Sequence, residues 1–529
     1  MIVPTILVAL CSIIFALYIF IKSRNNYWKK KKVPYVKPLP ILGNYGEYIL
    51  FKKSIGEVAQ DICRKFPNEP YIGSFYGTEP ALLIQDADLI KTVLTKDFYY
   101  FNSREIYKYT DREVITKNLF FSGGDRWKVI RQNLTPIFTS SKMKNMFYLI
   151  ENCCYELERM LDNETAVSNE IEGKFLMARY TIGAIVSCTF GVNTNTMEGF
   201  NEDNMFIKIA QATTGDTYPQ GIRTYSRAIW PAIFYTSGMK VFPDFIYKYF
   251  HNLLVGVFQS RNYKPSNRND FVDLVLGFVN QKHITGDSMT NFITGDAKKV
   301  DLEVNDEFLV GQCLMMFIAG FDTSATTSSF TLYELAKNQE AQKRVQAEVD
   351  SFLERHDNKV TYDCITEMPY LEACIDEALR LYPVLGVLTR EVMETYTLPS
   401  GLKLDKGLRV HIPVHHIHRN PDNFPEPEKF IPERFFGDNK KDIKPHTYIP
   451  FGEGPRICIG MRFAKMQMIP ALITILKKFN VELADGMSRT PKLEPKAPIV
   501  KMKGGVRLRL TPREEWQKRQ HCRLVQKQK

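Results

Sequence analysis

Cys458 is the residue of this chain with the strongest claim to chemistry. It lies in Phe451-Gly452-Glu453-Gly454-Pro455-Arg456-Ile457-Cys458-Ile459-Gly460, which runs straight into a helix-forming stretch, Met461 to Ile469. Gly452 and Gly454 allow positive φ or a close approach to a flat object, and Pro455 stiffens the turn. A cysteine just ahead of a helix meets free N–H groups and the positive end of the macrodipole, which favour thiolate over thiol. Metal ligation would complete the deprotonation. The plainer reading of one cysteine among ten is a small buried hydrophobe. A G-x-G-x-x-G phosphate loop is excluded, because Ile457 stands where the third glycine belongs.

A second chemical group precedes the loop. Asp306 to Leu335 is a long apolar run without proline, and its centre is Ala319-Gly320-Phe321-Asp322-Thr323-Ser324. Glycine weakens a helix interior, and Thr323 can turn its hydroxyl to a carbonyl one turn back. The segment reads either as a crossing where Ala319 and Gly320 admit a neighbour, or as a groove offering an alcohol and an acid for proton transfer. Trp127 and Arg131 share one face of a helix at i, i+4, and Glu377 and Arg380 sit three apart on another. Such pairs are ordinarily amphipathic or surface features worth roughly 0.2–0.5 kcal/mol. His411, His415, His416 and His418 invite a metal reading, but no second shell is evident and a structural role is favoured.

Taken together these motifs resemble a cytochrome P450. The loop matches F-x-x-G-x-R-x-C-x-G in full, and the helix centre matches A-G-x-[DE]-T-[TS]. The resemblance implies a mainly α (α+β) fold, a helical haem domain with minor β-sheets preceded by a transmembrane helix. It implies haem b, iron protoporphyrin IX, with Cys458 as the axial thiolate and metal ligand. No C-x-x-C-H occurs, so the haem is not covalently attached. Phe451, Gly452 and Gly460 would cradle it from the loop, and Ala319 and Gly320 would lie over it. Arg456, Trp127, Arg131 and Arg390 would contact the propionates, with Arg104 as a further contact. Thr323 would hydrogen-bond dioxygen, and Asp322 would relay protons to it. Pro432-Glu433-Arg434-Phe435 matches the family motif whose Arg434 joins Glu377 and Arg380 in a buried triad. That triad serves folding and haem retention, and breaking such a pair costs about 3–5 kcal/mol. His418-Arg419-Asn420-Pro421 matches a structural turn of the family.

The rest of the chain sets the frame. Hydrophobic residues make up 44% and charged residues 24%, and no linker, repeat or low-complexity tract divides the body, so one large domain is expected. The net charge of +11, from 70 Lys+Arg against 59 Asp+Glu, is not interleaved with aromatics, which argues against nucleic acid. The cysteines form no C-x-x-C pair, so a disulfide framework or zinc site is not expected and a reducing compartment fits. Residues 1–21 carry no charge and are followed by Lys22, Arg24 and Lys29 to Lys32. About 20 apolar residues span a bilayer, and cations after the run predict a retained signal anchor with a cytosolic body. Asn133-Leu134-Thr135 and Asn163-Glu164-Thr165 should then remain unglycosylated. The expected division is an anchor over 1–22, a basic and proline-rich linker over 23–40, and a catalytic domain over 41–529.

Smaller expectations follow along the chain. Ile72 to Gly77 and Ala81 to Ile84 read as short strands. The aromatic region from Met205 to Phe250 should be mostly core, with part of it facing the membrane. Val384 to Thr389 and Lys496 to Lys503 should line the substrate pocket by family likeness. Pro470 should kink the helix after Cys458. No function is evident in the basic tail after Pro512.

The resemblance implies a monooxygenase that inserts one atom of O2 into a lipophilic substrate. No flavin or nicotinamide motif is present, so electrons would come from NADPH through a separate cytochrome P450 reductase, with cytochrome b5 as a further donor. Arg126, Lys128, Lys142 and Lys144 are candidates for docking that acidic partner. The expected location is the endoplasmic reticulum (microsomal) membrane, with the catalytic domain on the cytosolic face and in contact with lipid. Thr135 to Lys144 resembles the clan of vertebrate drug-metabolising and insect detoxification enzymes, which implies a xenobiotic such as a plant toxin or insecticide. The alternatives are an endogenous lipid or hormone hydroxylase, a reductase-independent haem-thiolate isomerase or dehydratase, and a non-catalytic haem or lipophile binder. Intact Asp322-Thr323 argues against the isomerase. The substrate itself depends on pocket shape and is not legible.

Overall fold

The computed structural model describes Ser12, Ile19 and residues 22–514, apart from 199–202, 267, 269 and 280. The anchor expected over 1–22 falls almost wholly outside the described residues, as does the tail beyond 514.

Of the elements that frame the site, two strands come first, β1 (Tyr71–Tyr76) and β2 (Glu79–Ile84), paired antiparallel around a Gly77-Thr78 turn as expected. The helical body follows with α1 (Gly124–Leu134), α2 (Ser140–Val167) and α3 (Gly173–Phe190). Next come α4 (Met205–Thr214), α5 (Tyr218–Ile229), α6 (Pro231–Thr236) and α7 (Asp244–Ser260). A hairpin of β3 (His283–Asp287) and β4 (Lys299–Glu303) leads into α8 (Asp306–Lys337). Then α9 (Pro369–Leu381), β5 (Leu388–Glu391), β6 (Arg409–Ile412) and α10 (Met461–Leu476) complete the frame of the site.

α8 is the axis of the body. The Asn305 side chain caps it by accepting from the Phe308 N–H at 2.9 Å, and Asp306 and Glu307 complement the positive end of its dipole. It is buried almost throughout, against α3 along most of its length and against α7, α9 and α10 elsewhere. Its length and apolarity alone would let it cross a bilayer; its burial makes it a core helix. α10 continues through Pro470 to Leu476, so the proline does not end the helix as an isolated chain would favour. Pro470 and its neighbours are buried, and core packing there outweighs the one lost backbone bond.

The four-stranded sheet runs β1-β2-β6-β5, with β2 and β6 parallel and the other pairs antiparallel. Its register sets Arg390 opposite Val410. The stretch expected to be a linker is bound to this sheet. Trp28 is fully buried and donates its indole N–H to the Ser74 carbonyl at 2.8 Å.

Candidate active site

The cysteine loop is shaped by its glycines. Gly454 has φ +70°, and a Cβ there would stand 1.9 Å from the Leu94 carbonyl oxygen, so only glycine fits. The Cys458 N–H donates to the Phe451 carbonyl at 2.9 Å, and Gly452, with φ +74°, lies between them. Gly460 is the N-cap of α10. The Cys458 side chain is exposed, yet enough protein surrounds it for desolvation to push its thiol pKa up. The Gly460 N–H, then Arg131 and Arg104, act in the opposite direction but do not prevail. The expected thiolate therefore does not follow from the helix terminus alone: burial outweighs it, and a bound cation would have to hold the charge.

The centre of α8 divides its residues between two sides. Ala319 is exposed and Thr323 half-buried, and the Thr323 hydroxyl donates to the Ala319 carbonyl at 2.7 Å. Gly320 serves the crossing: a Cβ there would lie 2.6 Å from Ile185 of α3. Asp322 is buried and turned elsewhere. Its Oδ1 pairs with Lys174 Nζ at 3.0 Å, and its Oδ2 has no hydrogen-bond partner among the described residues. It lines a cavity of about 550 Å³ bounded by α3, α4, α8 and the turn at 501–506. Lys501 and Met502 line this cavity too, and Lys501 pairs with Asp216 at 3.0 Å.

Four arginines gather near the cysteine. Arg456 donates to the carbonyls of Asn102 and Ser122 and lies over the ring of buried Trp127 at 4.6 Å, and its Nη1 has no partner. Arg390 is 3% exposed and donates to the Thr389 carbonyl at 2.9 Å, with its Nε unpartnered. Arg104 donates to the Phe120 carbonyl at 2.7 Å and stacks on that ring. Arg131 donates to the Ile457 carbonyl at 2.9 Å, one residue before the cysteine. Burial lowers all four pKa values: Arg104 to about 10 and Arg390 to about 9, with repulsion from neighbouring arginines adding to it, and Arg456 well down for both reasons. None of the four makes an ion pair with a carboxylate among the described residues. Buried guanidinium groups with idle donors require an anion. The two carboxylates of an iron porphyrin meet that need, and its iron meets the need of Cys458 for a cation, so the residues fit the group.

Glu377, Arg380 and Arg434 lie together. Arg380 donates from Nε and Nη2 to the two Glu377 oxygens at 2.7 and 2.8 Å, both side chains being fully buried. Its other three donors reach the carbonyls of His418, Pro427 and Lys429 at 2.8–3.0 Å. Arg434 approaches Glu377 Oε1 at 3.5 Å and donates to the carbonyls of Pro425 and Glu426. The histidines go to separate structural partners. His411 bridges Tyr45 and Glu105, His415 meets Arg419, and His418 accepts from the Ile449 N–H at 3.0 Å. The eight described cysteines are all free.

Sequence reasoning missed Lys174, the Asn102 and Ser122 carbonyls that aim Arg456, and the hairpin that packs on α1. Each lies far along the chain from what it touches, so no local pattern marks it.

The family model described as Cytochrome P450 matches residues 33–509. The chain belongs to the cytochrome P450 family. Cytochrome P450 6B2 of Helicoverpa armigera is 34% identical over 504 residues, covering 95% of this chain and 97% of that protein. Cytochrome P450 6j1 of Blattella germanica is 34% identical over 513 residues, covering 96% and 98%. Cytochrome P450 6B1 of Papilio polyxenes is 34% identical over 509 residues, covering 96% and 99%. This cytochrome P450 thus has the P450 fold and is similar to the insect enzymes to which Thr135 to Lys144 pointed. It is a monooxygenase whose cofactor is haem with an axial cysteine thiolate, and O2, a reductase and lipophilic substrates are the partners of its family.

Proposed function

We propose that Cys458 is the axial ligand, that Arg456, Arg390, Arg131 and Arg104 hold the propionates with Trp127, and that the substrate is a lipophilic foreign compound. The observation that carries the reading is four arginines without a carboxylate partner among the described residues, beside an enclosed cysteine with free surface. Haem bound there would supply the activation of O2, and with two electrons and two protons one atom would enter the substrate C–H bond while the other left as water. Phe451, Gly452 and Gly460 would shape the loop that holds it, and exposed Ala319 would leave room for it. Thr323 can exchange its bond to the Ala319 carbonyl for one toward the reacting oxygen. Asp322, held by Lys174, passes protons from the cavity at its back. Glu377, Arg380 and Arg434 keep the surrounding backbone in place.

Electrons come from NADPH through a separate reductase, assisted by cytochrome b5. Lys142 and Lys144 are better candidates for that contact than Arg126 and Lys128, which bond to Asp111 and the Ser288 carbonyl. The protein works at the endoplasmic reticulum membrane with residues 41–529 on the cytosolic face, 1–22 in the bilayer and 23–40 joining them. Exposed Leu39, Ile41 and Leu50 support this, with Tyr218, Ile222 and Ile233 of α5 and α6 close by: Phe51 meets the Tyr218 ring at 5.5 Å.

Carbon monoxide added to the reduced protein tests the core of the proposal. A thiolate-type red shift of the Soret band is expected, lost in Cys458→Ser. Its absence in the unmutated protein would end the reading. Turnover of a panel of lipophiles with reductase and NADPH then tests the substrate class.

A further inference from the structure

The geometry points to the β3–β4 hairpin as a clamp that holds α1, and with it Trp127 and Arg131, against the haem site. The inference rests on the proposed haem contacts and extends them to a part of the chain outside the motifs.

Among the described residues the two strands pair only with each other, so no larger sheet explains their position. What fixes them is α1. The Asp125 carboxylate accepts from the Met289 N–H and the Ser288 hydroxyl, and Lys128 Nζ donates to the Ser288 carbonyl at 2.8 Å. The Gln132 amide makes two bonds with Asp287, both 2.8 Å, accepting from its N–H and donating to its carboxylate. Asn133 donates to the Thr285 carbonyl at 3.0 Å. Residues 125, 128 and 132 form one flank of the helix, about 100° from the flank that carries Trp127 and Arg131.

The approach is close. A Cβ on Gly286 would stand 2.9 Å from Val129 Cα, a backbone atom that cannot swing away. Met289 is buried and packs with Phe98 and Trp127. The Trp127 ring in turn lies under the Arg456 guanidinium. A line of contacts thus runs from the hairpin to two of the proposed propionate residues. α1 needs outside support: it has 11 residues, no side-chain N-cap bond and only four buried side chains. A helix of that length is marginal by itself. Asp125, in its first turn, is committed to the hairpin.

The test uses the full chain loaded with haem and follows transfer of haem to excess apomyoglobin, well below the unfolding midpoint. Gly286→Val drives a wedge between hairpin and helix, and Met289→Ala removes the contact to Trp127. Both should lose haem about 10-fold faster, the usual effect of disturbing groups that orient a ligand set. Met289→Leu should restore the slow rate, and Ile293→Ser, at the exposed tip, should leave it unchanged. A purely structural hairpin would lower the unfolding midpoint without changing the rate of haem loss. Unchanged haem loss in Met289→Ala overturns the inference, even if Gly286→Val cannot be folded, and so does equal acceleration by Ile293→Ser. Failure of the underlying site reading shows separately, as a missing thiolate-type carbon monoxide band in the unmutated protein.

Discussion

Two sets of buried arginines in this cytochrome P450 have opposite bookkeeping. Arg380 is fully buried, and all five of its donors are used, two on Glu377 and three on backbone carbonyls. Arg390 and Arg456 are almost as deeply buried, yet among the described residues each keeps an idle donor, faces no carboxylate partner and is repelled by other arginines. Burial of a cation is costly in both places. In the first the protein repays the cost itself; in the second it leaves the repayment to a bound anion. Satisfaction, rather than burial or residue type, separates an arginine that builds the fold from one that holds a ligand.

The comparison is broken most severely at Arg380. Arg380→Leu leaves Glu377 buried with only the more distant Arg434 and the Ile431 N–H to offset its charge, at about 3–5 kcal/mol. Expression yield and denaturant midpoint should fall sharply whether or not haem is supplied. Arg390→Leu should behave differently, because it removes repulsion from the haem-free protein and a partner from the haem. Haem-free stability should hold or rise, whereas losing a bond to a charged group, about 1.5–3 kcal/mol, should speed haem loss on the order of 10- to 100-fold. If Arg390→Leu instead destabilises the haem-free protein as Arg380→Leu does, the distinction fails.

The completed set also has a pH dependence. His418, whose carbonyl accepts from Arg380, is held neutral by burial and by Arg380 and Arg419, its pKa lowered from 6.5 to about 3. The unfolded chain takes up that proton near pH 6.5, the folded chain only near 3. Stability from this group is full above 6.5 and falls by about 1.4 kcal/mol per pH unit as pH drops through the window. His415 and His416 are lowered by burial too and add to the slope. His418→Asn should flatten it by one proton's worth, read from denaturant midpoints between pH 7 and 5. The smallest effect is expected at Arg434, where Lys keeps the charge near Glu377 but loses the bonds to the Pro425 and Glu426 carbonyls. Arg434→Lys should cost about 1 kcal/mol by the same measurement.

Much of the frame was legible because it is written in local patterns. The glycine-bound loop before α10, the run of α8, the turn between β1 and β2 and the three-residue spacing of Glu377 and Arg380 depend on neighbours in the chain. Other parts were legible only as types. Gly320 could be read as an opening toward haem or as a helix crossing, and it is Ile185 of α3 that fills its space. Asp322 could be read as an acid, but its pairing with Lys174 and its outlook onto a separate cavity depend on how α3 lies across α8. Pro470 reads as a kink, and the core around it carries the helix onward to Leu476.

By itself, the sequence determined the family, the loop that presents Cys458, the alcohol-and-acid pair on α8 and the ion pair on α9, since each needs only a few residues at fixed spacing. The tertiary structure alone decided which arginines are satisfied, which face of α8 meets which space, and how the β3–β4 hairpin bears on α1. Those are contacts between segments distant along the chain, and a hydrogen bond or an unmet charge exists only once folding has brought its partners together or kept them apart.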